Sequence, residues 1–290
     1  MIPFWINWNT NLCRYGLFIV VLSSFVLAVS SNTALLVVDV QNCFLPGGSL
    51  AVTDADEIIP VINNIRRKHT DLFTLTVFTQ DWHCADHVSF ASQHTGHSPF
   101  DVVILQYDEN GNLCNETSSS TPCTVEKSIN QTLWPDHCVI NTTGAQFSDN
   151  IHRKPTDIVV KKGYHCEIDS YSGFYDNGGF TKTELEAVLQ SHEIETVVIV
   201  GLALDYCVYF TALDARRVGY NVYVVVDASR PVSPADKQTV VTDMDNRGIH
   251  VVNSTELRFL VSSSTSFNIC FYYCIVCFIL VYIASSIVLI

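Results

Sequence analysis

Short apolar runs rich in β-branched residues recur along this chain, and each is followed by residues that can do chemistry. The runs occupy residues 34–38, 72–78, 158–160 and 197–200. Runs of this length and composition are typical of buried parallel strands. Amphipathic segments predict helices at 54–69, 182–191, 206–218 and 234–248. Alternating strands and helices favour right-handed βαβ crossovers. We therefore expect an α/β fold, a single-domain three-layer α/β/α arrangement with a mainly parallel sheet.

The residues that follow these runs are of catalytic or ligand type. Asp39 follows the first run, Asp81 and His83 follow the second, Lys162 follows the third, and Cys207 follows the fourth. In an open parallel sheet, ligands bind outside the carboxyl ends of the strands. These side chains should therefore meet at one edge of the sheet, which predicts an enzyme.

A purely structural interpretation is also open for three of these residues, Cys207, Asp39 and Lys162. Cys207 lies at a predicted helix N-terminus, where free N–H groups stabilise a thiolate or an oxyanion, but it could equally be a buried or disulfide-bonded cysteine. Asp39 could act as base and then as acid, or it could cap a helix. Lys162 would lower the pKa of a nearby thiol, or it could be a solvated residue at a strand end. Strand alternation places Lys161 on the opposite face from Lys162.

A second group of residues has the chemistry of a metal site. Asp81 and His83 point to the same side of an extended chain, His87 follows four residues later, and His137 precedes Cys138 in TLWPDHC. One carboxylate and two imidazoles with room for water suit Zn²⁺, and also Mn²⁺ or Fe²⁺. The alternative for any single histidine is an ordinary surface or core residue.

The two ends of the chain differ from the middle. Residues 1–30 contain one cation followed by an apolar stretch and small residues, which predicts a secretory signal peptide; an uncleaved anchor is the alternative. Residues 261–290 end in a long charge-free apolar tail after a serine-rich stretch, which favours a GPI-anchor signal over a single membrane span. The folded domain is then 31–260, and the expected location is the extracellular face of the cell surface.

Cysteines and glycosylation sequons fit a secreted protein. Seven cysteines fall within the predicted domain: Cys43, Cys84, Cys114, Cys123, Cys138, Cys166 and Cys207. An odd number in an oxidising compartment predicts one free thiol and up to three disulfides. Cys114 and Cys123 are the most natural pair, and the other pairings stay open. The sequons are at Asn115, Asn130, Asn141 and Asn253.

Two further features complete the outline of the domain. Residues 101–131 are rich in polar residues and show no clear periodicity, which predicts a long, irregular surface insertion. The net charge of −13 argues against nucleic acid as a partner, because such a partner requires a basic surface.

These residues, in this order, resemble the nicotinamidases of the isochorismatase-like cysteine hydrolases. The resemblance spans residues 33–252 and includes the stretches ALLVVDVQNCF, TQDWHCADH, TLWPDHC, VKKG, DSYSGFYDN and VGLALDYC. It implies the isochorismatase-like hydrolase fold and hydrolysis of nicotinamide to nicotinate and ammonia through a cysteine thioester, a reaction of pyridine nucleotide metabolism. It also implies assembly as a homo-oligomer.

The resemblance assigns roles to individual residues. It implies a catalytic triad of Cys207, Asp39 and Lys162, and a divalent metal, most simply zinc. The other implied roles are metal ligands at Asp81, His83 and His137, with His87 as a further ligand in some members; ring contacts from Phe44 and Trp134; a cis peptide at Leu202–Ala203; and oxyanion donors in the N–H groups of Ala203 and Cys207. The metal would receive the pyridine nitrogen.

The chain departs from the family pattern at three cysteines. Cys43 stands where the family usually has an acid, and Cys84 and Cys166 are also unusual. A disulfide at Cys43 would constrain the mouth of the pocket, whereas a free thiol there would be redox-sensitive. Two other functions are compatible with the pattern: a related amidase acting on another small amide, and a non-catalytic surface protein that retains the fold.

Overall fold

Six parallel strands form the central sheet in the computed structural model, which describes residues 32–114 and 123–257. The strands are β1 (Thr33–Val38), β2 (Leu75–Asp81), β5 (Ile158–Lys162), β6 (Thr196–Leu202), β7 (Asn221–Arg230) and β8 (His250–Val252). Their order is β5-β2-β1-β6-β7-β8, and every neighbouring pair is parallel. The order reverses at β1, so the loops after β1 and β6 diverge there and leave room for a ligand.

Four α-helices connect and cover these strands. They are α1 (Ile58–Lys68), α2 (Leu185–Ser191), α3 (Cys207–Arg217) and α4 (Lys237–Asn246). The predicted helices at 54–69, 182–191, 206–218 and 234–248 are therefore present, each slightly shorter than its amphipathic pattern. Several of their ends are short turns that complete the pattern without continuing the helix.

The apolar side chains of β1 divide between two cores. Leu35 and Val37 pack in the core that contains Ile58 and Ile62 of α1. Ala34, Leu36 and Val38 face the opposite core, which contains residues of α2 and α3. A strand whose two faces are both covered must be apolar throughout, which is the pattern of residues 34–38. The three-layer α/β/α prediction is confirmed.

The predicted irregular insertion at 101–131 is wrong in part, because its flanks form an antiparallel hairpin. Strands β3 (Val102–Tyr107) and β4 (Lys127–Thr132) pair in register from Val102↔Thr132 to Tyr107↔Lys127. Leu105 and Tyr107 are buried on its inner face, where they pack against Ile168. β3 is a largely apolar run without alternation and β4 is almost entirely polar, so neither strand shows the period-2 pattern that would reveal the hairpin.

Some sequence predictions fall outside the described residues. These are the signal peptide at 1–30, the whole of the tail at 261–290, and the sequon at Asn115. In the part of the chain that the structure describes, no helix has the length and apolar character needed to cross a bilayer.

Candidate active site

Cys207, Lys162 and Asp39 meet at the carboxyl edge of the sheet. Cys207 is the first residue of α3, Lys162 is the last residue of β5, and Asp39 directly follows β1. Lys162 Nζ lies 2.9 Å from Asp39 Oδ2 and donates a hydrogen bond of 3.3 Å to Cys207 Sγ. The sequence prediction that these three side chains converge is confirmed by this geometry.

The two oxygens of the Asp39 carboxylate have different surroundings. Thr79 Oγ1 donates a 2.6 Å hydrogen bond to Asp39 Oδ1. Oδ2 is buried and pairs with Lys162 Nζ at 2.9 Å, which leaves a lone pair of this oxygen for another donor. Oδ2 is therefore available to a proton from Cys207, whose sulfur lies within 4.8 Å of the Asp39 carboxylate.

The backbone at Asp39 is in an uncommon conformation. Its φ is 49°, in the left-handed region that non-glycine residues seldom adopt. Such conformations concentrate at functional sites, where surrounding structure maintains them. At Asp39 the left-handed backbone turns the chain out of β1 and directs the carboxylate into the cluster.

Burial controls the protonation of this cluster. It raises the pKa of the Cys207 thiol well above its usual range, against the opposing effect of Lys162. It also raises the pKa of Asp39, again against Lys162. Burial alone would lower the pKa of Lys162, but Asp39 and Asp81 raise it well above its usual range. Lys162 thus acts in the direction that the sequence predicts, since it lowers the pKa of the thiol, but burial outweighs it; the sulfur therefore favours its protonated form and requires a base.

Asp81, His83 and His137 form a buried group beside this cluster. Asp81 Oδ2 lies 3.4 Å from His83 Nε2 and 3.7 Å from His137 Nε2. One ligand atom from each residue lies within 4.8 Å of the others. These are the residues that the sequence predicts as metal ligands, and the fold brings all three together.

Backbone carbonyls orient both imidazoles. His83 Nδ1 lies 2.8 Å from the carbonyl oxygen of Gly163, and His137 Nδ1 lies 2.8 Å from that of Pro135. A carbonyl oxygen accepts only, so each Nδ1 carries a proton, and Nε2 is the nitrogen that each ring directs towards Asp81. A carboxylate flanked by two oriented imidazole nitrogens fits a divalent metal such as Zn²⁺.

His87 is adjacent to this group but not within it. Its ring centroid is 4.1 Å from that of His83, and it clusters with His83 and Asp169. Ser89 holds its Nδ1 at 2.8 Å, and burial lowers the pKa of His87 to about 3, so the ring is neutral. Among the described residues, nothing hydrogen-bonds to its Nε2.

A small cavity connects the two clusters. Residues from several loops line it: Phe44, Leu50, Asp81, His83, Trp134, His137, Asp169, Tyr171, Ala203, Tyr206, Cys207 and Val232. The predicted ring contacts, Phe44 and Trp134, are both in its wall. Its free space is about 30 Å³, similar to the share of one water molecule, so a ring-sized ligand requires side chains at the mouth to rotate.

A wider groove of about 850 Å³ lies nearby but lacks the reactive groups. It is lined by His137 and by the Cys43–Cys138 cystine, and not by Cys207, Asp39 or Lys162. We assign the active site to the smaller cavity, because only that cavity contains the thiol.

Three polar residues of the pocket, Asp169, Tyr171 and Tyr206, are not identified by the sequence analysis. Tyr171 Oη accepts hydrogen bonds from Trp134 Nε1 at 3.3 Å and Gln131 Nε2 at 3.1 Å. Asp169 and Tyr206 also line the cavity. The signal was present, since DSYSGF contains both Asp169 and Tyr171 within the resemblance, but these residues lie between elements, where periodicity gives no orientation.

The turn between β6 and α3 has the predicted backbone features. The Leu202–Ala203 peptide is cis, as the resemblance implies. Gly201, just before it, has φ of 121°, and a Cβ there would lie 2.0 Å from the carbonyl oxygen of Val38. Only glycine therefore permits β6 to approach β1 this closely.

The cysteines pair as one free thiol and three cystines, as predicted. The bonds are Cys43–Cys138, Cys84–Cys166 and Cys114–Cys123, and among the described cysteines Cys207 alone is unpaired. A free sulfur at position 207 is consistent with a nucleophile. The three sequons that the structure describes, Asn130, Asn141 and Asn253, are all exposed.

Comparisons with known proteins agree with this geometry. Residues 33–256 match the isochorismatase domain family. The nicotinamidase of Acinetobacter baylyi is 41% identical over 203 residues, which cover 70% of this chain and 83% of that protein.

Solved structures show the same relationship. The yeast nicotinamidase bound to the inhibitor nicotinaldehyde has a TM-score of 0.67 and 32% identity, covering 76% of this chain and 99% of that one. The pyrazinamidase of Pyrococcus horikoshii in complex with zinc has a TM-score of 0.58 and 32% identity, covering 77% of this chain and 99% of that one. The chain therefore belongs to the isochorismatase family and is most similar, among these relatives, to nicotinamidases.

Proposed function

We propose that this enzyme, an amide hydrolase, converts nicotinamide to nicotinate and ammonia with Cys207 as the nucleophile. The observation that carries the proposal is the shared cavity, in which a free thiol with its base adjoins a group of metal-ligand type. Support comes from the nicotinamidases among the relatives and the solved structures.

A divalent metal would be held by Asp81, His83 and His137. Zn²⁺ suits this donor set best, and Mn²⁺ or Fe²⁺ are alternatives. When bound, the metal supplies a Lewis acid that binds the pyridine nitrogen and fixes the ring. Lys162 and His83 together outweigh burial and hold the pKa of Asp81 well below its usual range, so this carboxylate is ionised and ready to ligate.

Aromatic side chains would hold the ring of the substrate. Phe44 and Trp134 contribute to the cavity wall, and Tyr171 fixes the indole of Trp134 through the Nε1–H···Oη hydrogen bond. Offset or edge-on contacts between aromatic rings favour a planar substrate. This arrangement directs the carboxamide towards Cys207.

The chain's own residues then account for acyl transfer. Asp39 Oδ2 takes the proton of Cys207 as the sulfur attacks the amide carbon, and a C–S bond forms. The N–H groups of Ala203 and Cys207, which donate to no other group among the described residues, hold the oxyanion. Asp39 returns the proton to the leaving nitrogen, so ammonia departs as the C–N bond breaks.

Water completes the cycle by hydrolysing the thioester. Asp39, again a carboxylate, takes a proton from the attacking water, and the C–S bond breaks. The sulfur recovers a proton and nicotinate leaves. Lys162 keeps its charge throughout, since Asp39 and Asp81 hold its pKa far above neutrality, and it offsets the negative charge that develops on sulfur.

Ammonia release from nicotinamide by the purified full-length protein tests this function directly. We expect turnover by the native enzyme, none by Cys207→Ala, and combined loss of metal and substrate binding in His83→Ala. Benzamide is the matched substrate control, because it has the same shape but lacks the ring nitrogen, and it should react much more slowly. Equal rates on both amides would favour a related amidase, and no turnover of either would favour a non-catalytic protein.

We also infer that the enzyme acts outside the cell, attached to the membrane through its C-terminal tail. The three cystines support this location, because disulfides persist mainly in oxidising compartments. Release of activity from intact cells by a phosphatidylinositol-specific phospholipase would support a GPI anchor, whereas retention would favour a membrane-spanning tail.

A further inference from the structure

The metal-type group consists of Asp81, His83 and His137. Each of its two histidines is followed directly in the sequence by a disulfide-bonded cysteine. His83 precedes Cys84, and His137 precedes Cys138. Cys84 is bonded to Cys166, which is in the loop that begins just after Lys162 at the end of β5. The cystine therefore joins the loop that contains His83 to the loop that follows Lys162, a member of the cluster with Asp39 and Cys207.

The Cys84–Cys166 bond joins the same two loops as the hydrogen bond that orients His83. Gly163, in the loop after β5, accepts the 2.8 Å hydrogen bond from His83 Nδ1. The same two loops are joined again where the N–H of Val88 donates to the carbonyl oxygen of Cys166 at 2.7 Å. The orientation of His83 thus depends on two segments remaining together, and the covalent bond lies beside that contact.

The two cystines at the site differ in exposure. Cys43 and Cys138 border the wider groove but are each only 1% exposed, so their bond presents almost no surface to a reductant. Cys84 is half-buried and Cys166 is exposed. The bond beside His83 is therefore accessible in the folded protein, while the bond beside His137 is protected.

We propose that the Cys84–Cys166 disulfide is a redox-sensitive cross-link, or brace, that holds together the two loops which orient His83 in the metal site. A dithiol reductant donates two electrons and two protons, so the S–S bond becomes two thiols and the dithiol becomes a disulfide. The loop after β5 is then free to move the carbonyl of Gly163 away from His83 Nδ1, and metal affinity falls. The inference rests on the proposed metal site, and it limits the loaded enzyme to oxidising surroundings.

Zinc affinity of serine variants tests the brace without any substrate. The variant Cys84→Ser/Cys166→Ser removes the bond and also the thiols, which would otherwise bind Zn²⁺ themselves. The matched control is Cys114→Ser/Cys123→Ser, which removes a cystine in the segment between β3 and β4. Zn²⁺ dissociation constants are measured by competition with a chromophoric chelator.

We expect the first variant to bind Zn²⁺ about tenfold or more weakly, as for the loss of a group that orients a metal ligand, and the control to match the native enzyme. Unchanged affinity in the first variant, or equal weakening in both, would overturn the proposal. Zn²⁺ binding is measured without nicotinamide, so this experiment can refute the brace while the proposed activity stands. Equally, the activity assay can refute the proposed function while the brace stands.

A second measurement on the unmutated protein covers the case in which the variant does not fold. The zinc-loaded protein is treated with increasing amounts of a phosphine reductant, alkylated, and divided between mass spectrometry and zinc analysis in the presence of chelator. We expect Cys84–Cys166 to open before Cys43–Cys138, and zinc loss to follow its opening. Zinc retained after Cys84–Cys166 is reduced, or Cys43–Cys138 opening first, would contradict the brace.

Discussion

Lys162 Nζ lies 2.6 Å from Asp81 Oδ1, so one buried ammonium joins the catalytic cluster to the metal-type group. The same nitrogen contacts Asp39 and also donates to the carbonyl of Ser170 at 3.0 Å. A buried charge is tolerated only when it is paired, and here the single cation neutralises part of two carboxylates. Lys162 therefore couples the proposed catalytic cluster to the proposed metal site.

Replacing Lys162 with methionine should both inactivate and destabilise the enzyme. The substitution leaves the buried carboxylates of Asp39 and Asp81 without their cation, and we expect the free energy of unfolding to fall by about 3–5 kcal/mol. Lys161→Met is the matched control, since Lys161 is exposed and contacts only the face of Trp82; its effect should stay below about 1 kcal/mol. Urea denaturation measures both, and equal stabilities of the two variants would refute the coupling.

Asp39→Asn should remove the base while preserving shape. We expect kcat to fall by roughly 10²–10⁴-fold, the usual contribution of a positioned acid–base group, with Zn²⁺ affinity retained. Asp108→Asn, at an exposed hairpin turn where the carboxylate holds Asn110 and Asn112, should leave kcat unchanged. Steady-state ammonia release gives both values, and near-native turnover in Asp39→Asn would exclude Asp39 as the base.

The pH dependence of kcat/KM should carry the signature of Asp39. The base is active when ionised, and burial raises the pKa of this carboxyl above its ordinary value of 3.8. The acid limb of the profile should therefore lie above that value, with activity lost as the pH falls through it. Because the pKa of the Cys207 thiol is also raised well above its usual range, no further gain should appear between neutral pH and about pH 9. A rise across that interval would indicate a thiol that titrates there and reacts as a thiolate without Asp39 as its base.

Gly163→Ala should weaken metal binding through His83. A Cβ at Gly163 would lie 2.4 Å from His83 Cε1, and the residue has φ of 64°. Gly179→Ala is a close control, because Gly179 has φ of 70° but nothing within 4 Å of the added carbon. Both variants share the backbone strain, whereas only the first displaces the imidazole. We expect about tenfold weaker Zn²⁺ binding for Gly163→Ala alone, and equal affinities in a chelator competition would contradict this role.

Tyr171→Phe should raise KM and leave kcat nearly intact. The hydroxyl accepts hydrogen bonds from Trp134 and Gln131, so its loss frees the indole that borders the ring site. The loss of one buried neutral hydrogen bond is worth about 1 kcal/mol, or roughly a fivefold change in KM. Kinetics on nicotinamide give the two constants separately, and a fall confined to kcat would instead place Tyr171 in the chemical step.

The strand framework and the reactive residues could be predicted because both depend on local patterns. Residues 34–38 are apolar without alternation, which requires a strand covered on both faces. The alternation at β5 correctly separated exposed Lys161 from buried Lys162. The hairpin at β3 and β4 escaped because one of its strands has no apolar face, and its pairing is a non-local event.

The sequence by itself determined which residues reach the carboxyl edge of the sheet, since strand ends and side-chain alternation follow from backbone geometry alone. Only the tertiary structure decided the pairing of Cys84 with Cys166, 82 residues away, the entry of Asp169 and Tyr171 into the pocket, and the neutral resting state of Cys207. Each of these depends on distance and burial across separate segments, because desolvation and covalent pairing arise only after the chain has packed.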